Sequence, residues 1–187
     1  MGYNLHQATG LPFQAMESIY KKICLLGDFA VGKTSLVRRY VSGSFDDRYL
    51  STIGVKISRK LLTKRNHQLN LIIWDLAGGE DFSGHDKNYL RGAAGALLVV
   101  DLSRPETFRV LVDYASLLLK LNPGAAMAVA ANKVDLVGNM PAVASDLEMI
   151  CRDLASPFLP TSAKTGENVE EIIDLLAERL IPEGSHD

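Results

Sequence analysis

The sequence predicts an α/β fold, a mostly parallel six-stranded sheet with helices on both faces. Two observations carry this. Apolar runs of strand length alternate with helical stripes of about 10–15 residues along most of the chain. The chemically loaded segments 27–34, 75–79, 132–135 and 161–164 each follow an apolar run. On such a sheet ligands sit at the carboxyl ends of the strands, so these segments belong on one side of the molecule.

The first strand is expected around residues 20–26, a continuous apolar run of the kind buried on both faces of a parallel sheet. Leu36, Val37, Tyr40 and Val41 then fall on one helical face, and Gly43 ends that helix. A polar, irregular stretch at 45–53 precedes an edge strand at 55–64. Its charges Lys56, Arg59, Lys60, Lys64 and Arg65 read as a solvated edge that discourages edge-to-edge pairing. His67-Gln68 marks a hairpin turn into a more buried strand, 69–75, carrying Leu71, Ile72, Ile73 and Trp74. Ala77-Gly78-Gly79 breaks the pattern, and a polar stretch runs to Gly92. After an apolar run at 95–101, Ser103 and Glu106 form a capping box for a helix with the stripe Phe108, Leu111, Val112, Ala115, Leu118 and Leu119. A small-residue strand at 125–131 ends at Asn132. Val143, Leu147, Ile150, Cys151 and Leu154 mark the next helix, and Phe158-Leu159 a short strand. Asn168 with Glu171 caps a last helix whose core face is Val169, Ile172, Ile173, Leu176 and Leu180.

The 187 residues have room for one ordinary domain, expected over 19–182, with a flexible N-terminal extension at 1–18 and a short tail at 183–187. Apolar residues make up 47% and charged residues 22%, a globular composition, and the net charge of −2 offers no basic field for nucleic acid. Cys24 and Cys151, the only cysteines, lie inside apolar patterns and read as buried free thiols of a reducing compartment. The first twenty residues lack the apolar core of a signal peptide, and no stretch approaches the roughly 20 apolar residues that span a bilayer. A cytoplasmic protein is expected. Position 6 is His6 where a myristoylation signal needs Ser or Thr, and the last residues hold no cysteine, so neither end reads as a lipid anchor.

Gly27 and Gly32 occupy the fixed positions of G-x-x-x-x-G-K-[ST] between a strand and a helix. Lacking Cβ atoms, they let the chain through Asp28, Phe29, Ala30 and Val31 turn tightly and bring successive backbone N–H groups against phosphate oxygens. The helix that begins near Lys33 and continues through Ser35 adds its positive end. Lys33 supplies a cation for the outer phosphates, and Thr34 a hydroxyl oxygen of the hard type that Mg²⁺ accepts. A glycine-rich strand–helix turn without a ligand would have no use for the Lys-Thr pair.

Asn132-Lys133-Val134-Asp135 follows a strand end, and Asp135 offers two carboxylate oxygens to a base with two adjacent donors. Guanine has that edge and adenine does not. Asn132 can bond the other side of the ring, while the Lys133 stem packs along its face. Ser162-Ala163-Lys164 sits at another strand end, where the Ala163 backbone N–H is the useful group. Asp75-Leu76-Ala77-Gly78 places a carboxylate near the metal and a glycine N–H within reach of a γ-phosphate. Thr52, in the polar stretch after the first helix, could close over Mg²⁺.

With these motifs in this order, residues 20–181 resemble a small GTPase of the Ras superfamily. The likeness is strongest to the Rab-like branch through Gly27-Asp28, Tyr49-Leu50-Ser51-Thr52-Ile53-Gly54-Val55 and Trp74-Asp75. The resemblance implies a P-loop G domain that binds GTP, GDP and Mg²⁺, with Thr34 and Thr52 ligating the metal, Asp75 holding it through water and Phe45 packing against guanine. It implies effector, exchange and activating proteins that read residues 45–55 and 77–92, on a monomer. Lys33, Gly78 and Gly79 would stand at the reacting phosphate.

The chain departs from that family at the chemical step. The residue after the DxxG glycine is usually Gln, which orients the attacking water, and here it is Gly79. Slow hydrolysis is expected; Glu80, His85 and Arg48 are candidates to replace the glutamine, against the plainer reading of Glu80 and His85 as solvated or hydrogen-bonded switch residues and of Arg48 as a surface charge. Phe29 stands where the family commonly has a small residue, so its ring could crowd the γ-phosphate. The missing prenylation cysteines suggest a bacterial or otherwise unlipidated relative. The leading reading is a GTP-hydrolysing switch, and the alternative a GTP-binding interaction module with negligible turnover.

Overall fold

The runs 23–26 and 96–100 have no polar face to show to water, and both lie at the middle of one sheet. The computed structural model describes residues 17–44, 54–78, 86–138 and 141–182. In chain order its elements are strand β1 (Glu17–Leu26), helix α1 (Lys33–Ser42), β2 (Val55–Lys64), β3 (His67–Leu76), β4 (Gly95–Asp101), α2 (Val110–Leu121), β5 (Ala126–Asn132), α3 (Pro141–Asp153), β6 (Phe158–Pro160) and α4 (Val169–Glu178). The strands form one six-stranded sheet in the order β2-β3-β1-β4-β5-β6. All pairings are parallel except that of β2, which runs antiparallel to β3 at the edge.

Because strand side chains alternate, β1 feeds two cores. Ile23 and Leu25 pack with Leu36, Val37 and Tyr40 of α1 and with Val169, Ile172, Ile173 and Leu176 of α4. Cys24 and Leu26 pack with Leu111, Ala115 and Leu118 of α2 and with Leu147 and Cys151 of α3. Each fully buried Leu or Ile contributes about 1.5–3 kcal/mol, so both faces have ample stabilisation. The expected doubly covered α/β sheet is the observed one. Both thiols are buried and free, and burial pushes Cys24 up to about 11 and Cys151 up to about 12.

Several local expectations are corrected. The first strand begins at Glu17, two residues inside the stretch read as an extension, because Glu17, Ser18 and Ile19 pair with His67, Gln68 and Leu69. The hairpin turn is Arg65-Asn66 and not His67-Gln68: Lys64 pairs with His67, and both turn residues have positive φ (45° and 64°), a two-residue turn of the type that matches strand twist. Ser103 forms no capping box. Its N–H and hydroxyl both bond the Asp101 carboxylate, and a short 3₁₀ turn, Pro105–Phe108, precedes α2. With α2 starting at Val110, its buried stripe is Leu111, Tyr114, Ala115 and Leu118, while Val112 and Leu119 face outward. Asn168 likewise makes no cap; its amide donates to the Pro160 carbonyl and ties the last loop to β6. Gly43 does end α1, with φ 65° and its N–H on the Arg39 carbonyl.

Candidate functional site

The loop between β1 and α1 is held open by backbone conformations that few residues adopt. Gly32, at the N-cap of α1, has φ 102°, and a Cβ there would strike the Asn132 amide. Ala30 sits in the left-handed region at φ 62°. No side chain caps α1 and no acidic residue lies in its first turn, so the positive end of the helix has no anionic side chain of its own.

Lys33 is 7% exposed, and its Nζ donates to the Gly27 and Asp28 carbonyls, both at 2.8 Å. Burial pulls it down to about 8, against the attraction of Asp75 and Asp28. Gly78 closes the other side: a Cβ there would overlap the Lys33 ammonium and the Gly27 and Asp28 carbonyls. Asp75, at the end of β3, is 1% exposed, and neither carboxylate oxygen meets a donor in hydrogen-bond geometry. Burial raises the Asp75 carboxyl, and the Thr34 hydroxyl, Lys33 and Lys56 offset only part of that rise. A buried carboxylate left so costs stability unless something charged completes it. Mg²⁺ is commonly held by one or two protein oxygens with phosphate and water supplying the rest, and Asp75 with Thr34 is a donor set of that size and hardness.

At the base-reading end, Asn132 is 1% exposed and bonded through both of its polar atoms. Its Nδ2 donates to the Val31 carbonyl at 2.8 Å, and its Oδ1 accepts from Ala163 N–H at 3.1 Å and Thr161 Oγ1 at 3.4 Å. It therefore joins the phosphate loop to the loops after β5 and β6. Asp135 is exposed, and Ser162 fixes it by donating to Oδ1 at 2.6 Å while accepting from Thr165 N–H. Lys133 is left-handed at φ 65° and reaches Asp101. Lys164 is exposed.

Sequence reading missed three members. Asp101 closes β4 at 1% exposure; its Oδ2 takes Lys133 at 2.7 Å and Arg104 at 2.9 Å. Burial pushes its carboxyl up, but the bonds from Lys133, Ser103 and Arg104 outweigh that and hold it below its ordinary range. Arg104 also donates to the Phe29 carbonyl. Arg39 of α1 holds the last loop through the carbonyls of Ala163, at 2.9 Å, and Lys164. The available signal was a carboxylate ending an otherwise apolar strand at the same sheet end as the other motifs. Phe45, Arg48, Thr52, Gly79, Glu80 and His85 lie outside the described residues.

One network thus ties together the loops after β1, β4, β5 and β6, with a glycine loop and a lysine at one end, the buried Asp75 carboxylate of β3 beside them, and a serine-held aspartate at the other end. This defines a P-loop nucleotide-binding protein of α/β architecture. Residues 22–182 match the family model described as Ras family. Human Ras-related protein Rab-22A is 35% identical over 160 residues, 85% of this chain and 82% of that protein. Rat Ras-related protein Rab-31 is 33% identical over 167 residues (89% and 86%), and Ras-related protein RABF2b of Arabidopsis thaliana 36% over 165 (88% and 82%). The chain belongs to the Ras family, as a Rab-like small GTPase. It is a GTP-binding switch protein that takes GTP, GDP and Mg²⁺ and engages regulators and effectors. These relatives are animal and plant proteins and lend no support to a bacterial source. Among the described residues no helix is long and apolar enough to cross a membrane.

Proposed function

We propose that the chain is a monomeric GTP/GDP switch that hydrolyses GTP slowly by itself and holds its nucleotide across the carboxyl ends of β1, β3, β5 and β6. The observation that carries this reading is the buried Asp75 carboxylate gathered with Thr34 and the Lys33 ammonium at one strand end, where burial opposes both charges. Thr34 and Thr52 would ligate Mg²⁺ and Asp75 would hold it through water; when bound, the ion neutralises charge on the phosphate oxygens. Lys33 and the N–H groups of residues 28–35 bind the phosphates, and the Gly78 N–H meets the γ-phosphate. Asp135, held by Ser162, reads the guanine N1–H and 2-amino group. Lys133 and Phe45 flank the ring, Ala163 N–H and Lys164 close its remaining side, and Asn132 keeps the two halves in register. Phosphoryl transfer then depends on placing water and balancing charge. Gly79 has no side chain to place that water, which makes the step slow. Residues 45–55 and 77–92 respond to the γ-phosphate and present the surface that effectors, exchange and activating proteins read.

Nucleotide competition tests the base assignment. Wild type should take GTP far above ATP, and Asp135→Asn should lose GTP and gain xanthosine triphosphate. Equal binding of ATP and GTP by wild type would overturn it. A second reading, a GTP-binding interaction module with negligible turnover, is favoured by Phe29, 45% exposed on the phosphate loop where an incoming arginine would need room.

A further inference from the structure

We infer that Arg104 is a positioning residue that locks the phosphate loop to the guanine-reading loop through Asp101, an inference that rests on the nucleotide-binding reading above. Its planar guanidinium makes two bonds in different directions: Nε to Asp101 Oδ2 at 2.9 Å and Nη2 to the Phe29 carbonyl at 2.7 Å. Asp101 cannot rotate away. Ser103 holds its Oδ1 through both N–H, at 3.0 Å, and Oγ, at 2.6 Å, and Lys133 shares Oδ2 at 2.7 Å. The carboxylate is therefore a fixed post, with a phosphate-loop carbonyl on one arm and a base-loop lysine on the other.

The consequence follows from peptide geometry. In a planar trans peptide the C=O and the following N–H point in opposite directions. Fixing Phe29 C=O at Arg104 therefore fixes Ala30 N–H on the opposite side of the peptide, one of the N–H groups of residues 28–35 that the nucleotide reading assigns to the phosphates. Ala30 needs that support. Its φ of 62° is a left-handed conformation that costs a non-glycine residue energy, and it persists only where neighbours enforce it. Arg104 thus acts on phosphate grip, and Asp101 on phosphate and base grip together.

The test uses the full chain and measures release of GDP, and competition by guanosine, for wild type, Arg104→Ala, Arg104→Lys and Asp101→Asn. Arg104→Ala should speed GDP release about tenfold, the scale of a charge-assisted hydrogen bond, with guanosine affinity unchanged. Arg104→Lys, which lacks the fork, should fall between. Asp101→Asn should weaken GDP and guanosine alike. Should the alanine variant fail to fold, Arg104→Lys carries the comparison. GDP release unchanged in the folded Arg104 variants, or equal loss of guanosine and GDP in them, overturns the inference. A wild type that binds no GDP instead overturns the nucleotide reading itself.

Discussion

Asp75 and Lys33 each carry a charge that burial opposes, in opposite directions on the titration axis. The Asp75 carboxyl lies above its unfolded value because burial outweighs the Thr34 hydroxyl, Lys33 and Lys56, so its charge destabilises the fold at neutral pH, a cost that is relieved as pH falls through the raised value. Asp75→Asn should therefore stabilise nucleotide-free protein by about 1–3 kcal/mol in denaturant titration, while abolishing the Mg²⁺ dependence of nucleotide binding. Lower stability in that variant would mean that the carboxylate has a structural partner. Lys33, at about 8, lies below its unfolded value, so stability of the nucleotide-free protein rises with pH from about 8 toward the unfolded lysine value near 10.4. A bound phosphate favours the charged amine, so GDP binding above about pH 8 should take up a proton. Calorimetry in buffers of differing ionisation heat reads this, and binding heats that do not vary with buffer would contradict it. Lys33 and Asp75 were legible because their types and spacing are tied to phosphate and metal chemistry. Asp101 and Arg104 were not, since their partners are backbone and side-chain atoms from loops distant in sequence.

Among the elements, strands and helices were read well and the joints between them poorly. The β2 edge strand, 55–64, was placed at its observed bounds because its mixed alternation sits beside a strongly apolar partner. The turn slipped by two residues because no glycine marks it: Arg65 and Asn66 take left-handed conformations, and Arg65 is held by Glu178 of α4 at 2.8 Å. Asn66→Gly removes the steric cost at φ 64° and should raise stability by about 0.5–1 kcal/mol, read as a higher thermal midpoint. A lower midpoint would mean that Asn66 makes contacts worth more than the strain. The stripe on α2 was misread at Val112 and Leu119 because the 3₁₀ turn before it shifts the helical phase. Tyr114, whose polar tip hid its role, fills the place they were given.

For the whole molecule, the parallel sheet explains why residues from distant parts of the chain converge: each strand delivers its following loop to the same end. That convergence was legible from four polar segments behind four apolar runs. On the proposed reading, turnover is limited where the chain departs from its family, at Gly79. Gly79→Gln restores a water-orienting side chain and Phe29→Gly opens the loop, so the double variant should hydrolyse GTP faster than the two single changes together would give. Simple additivity would show that the ring does not obstruct the glutamine. The most direct measurement of the central claim is a single-turnover assay of wild-type protein loaded with γ-labelled GTP and Mg²⁺. The expected result is stable retention of GTP, with phosphate released more slowly than the roughly 3–5 × 10⁻⁴ s⁻¹ of intrinsic Ras hydrolysis, where a glutamine orients the water. Release at or above that rate by the protein alone, or failure to retain GTP, would contradict it.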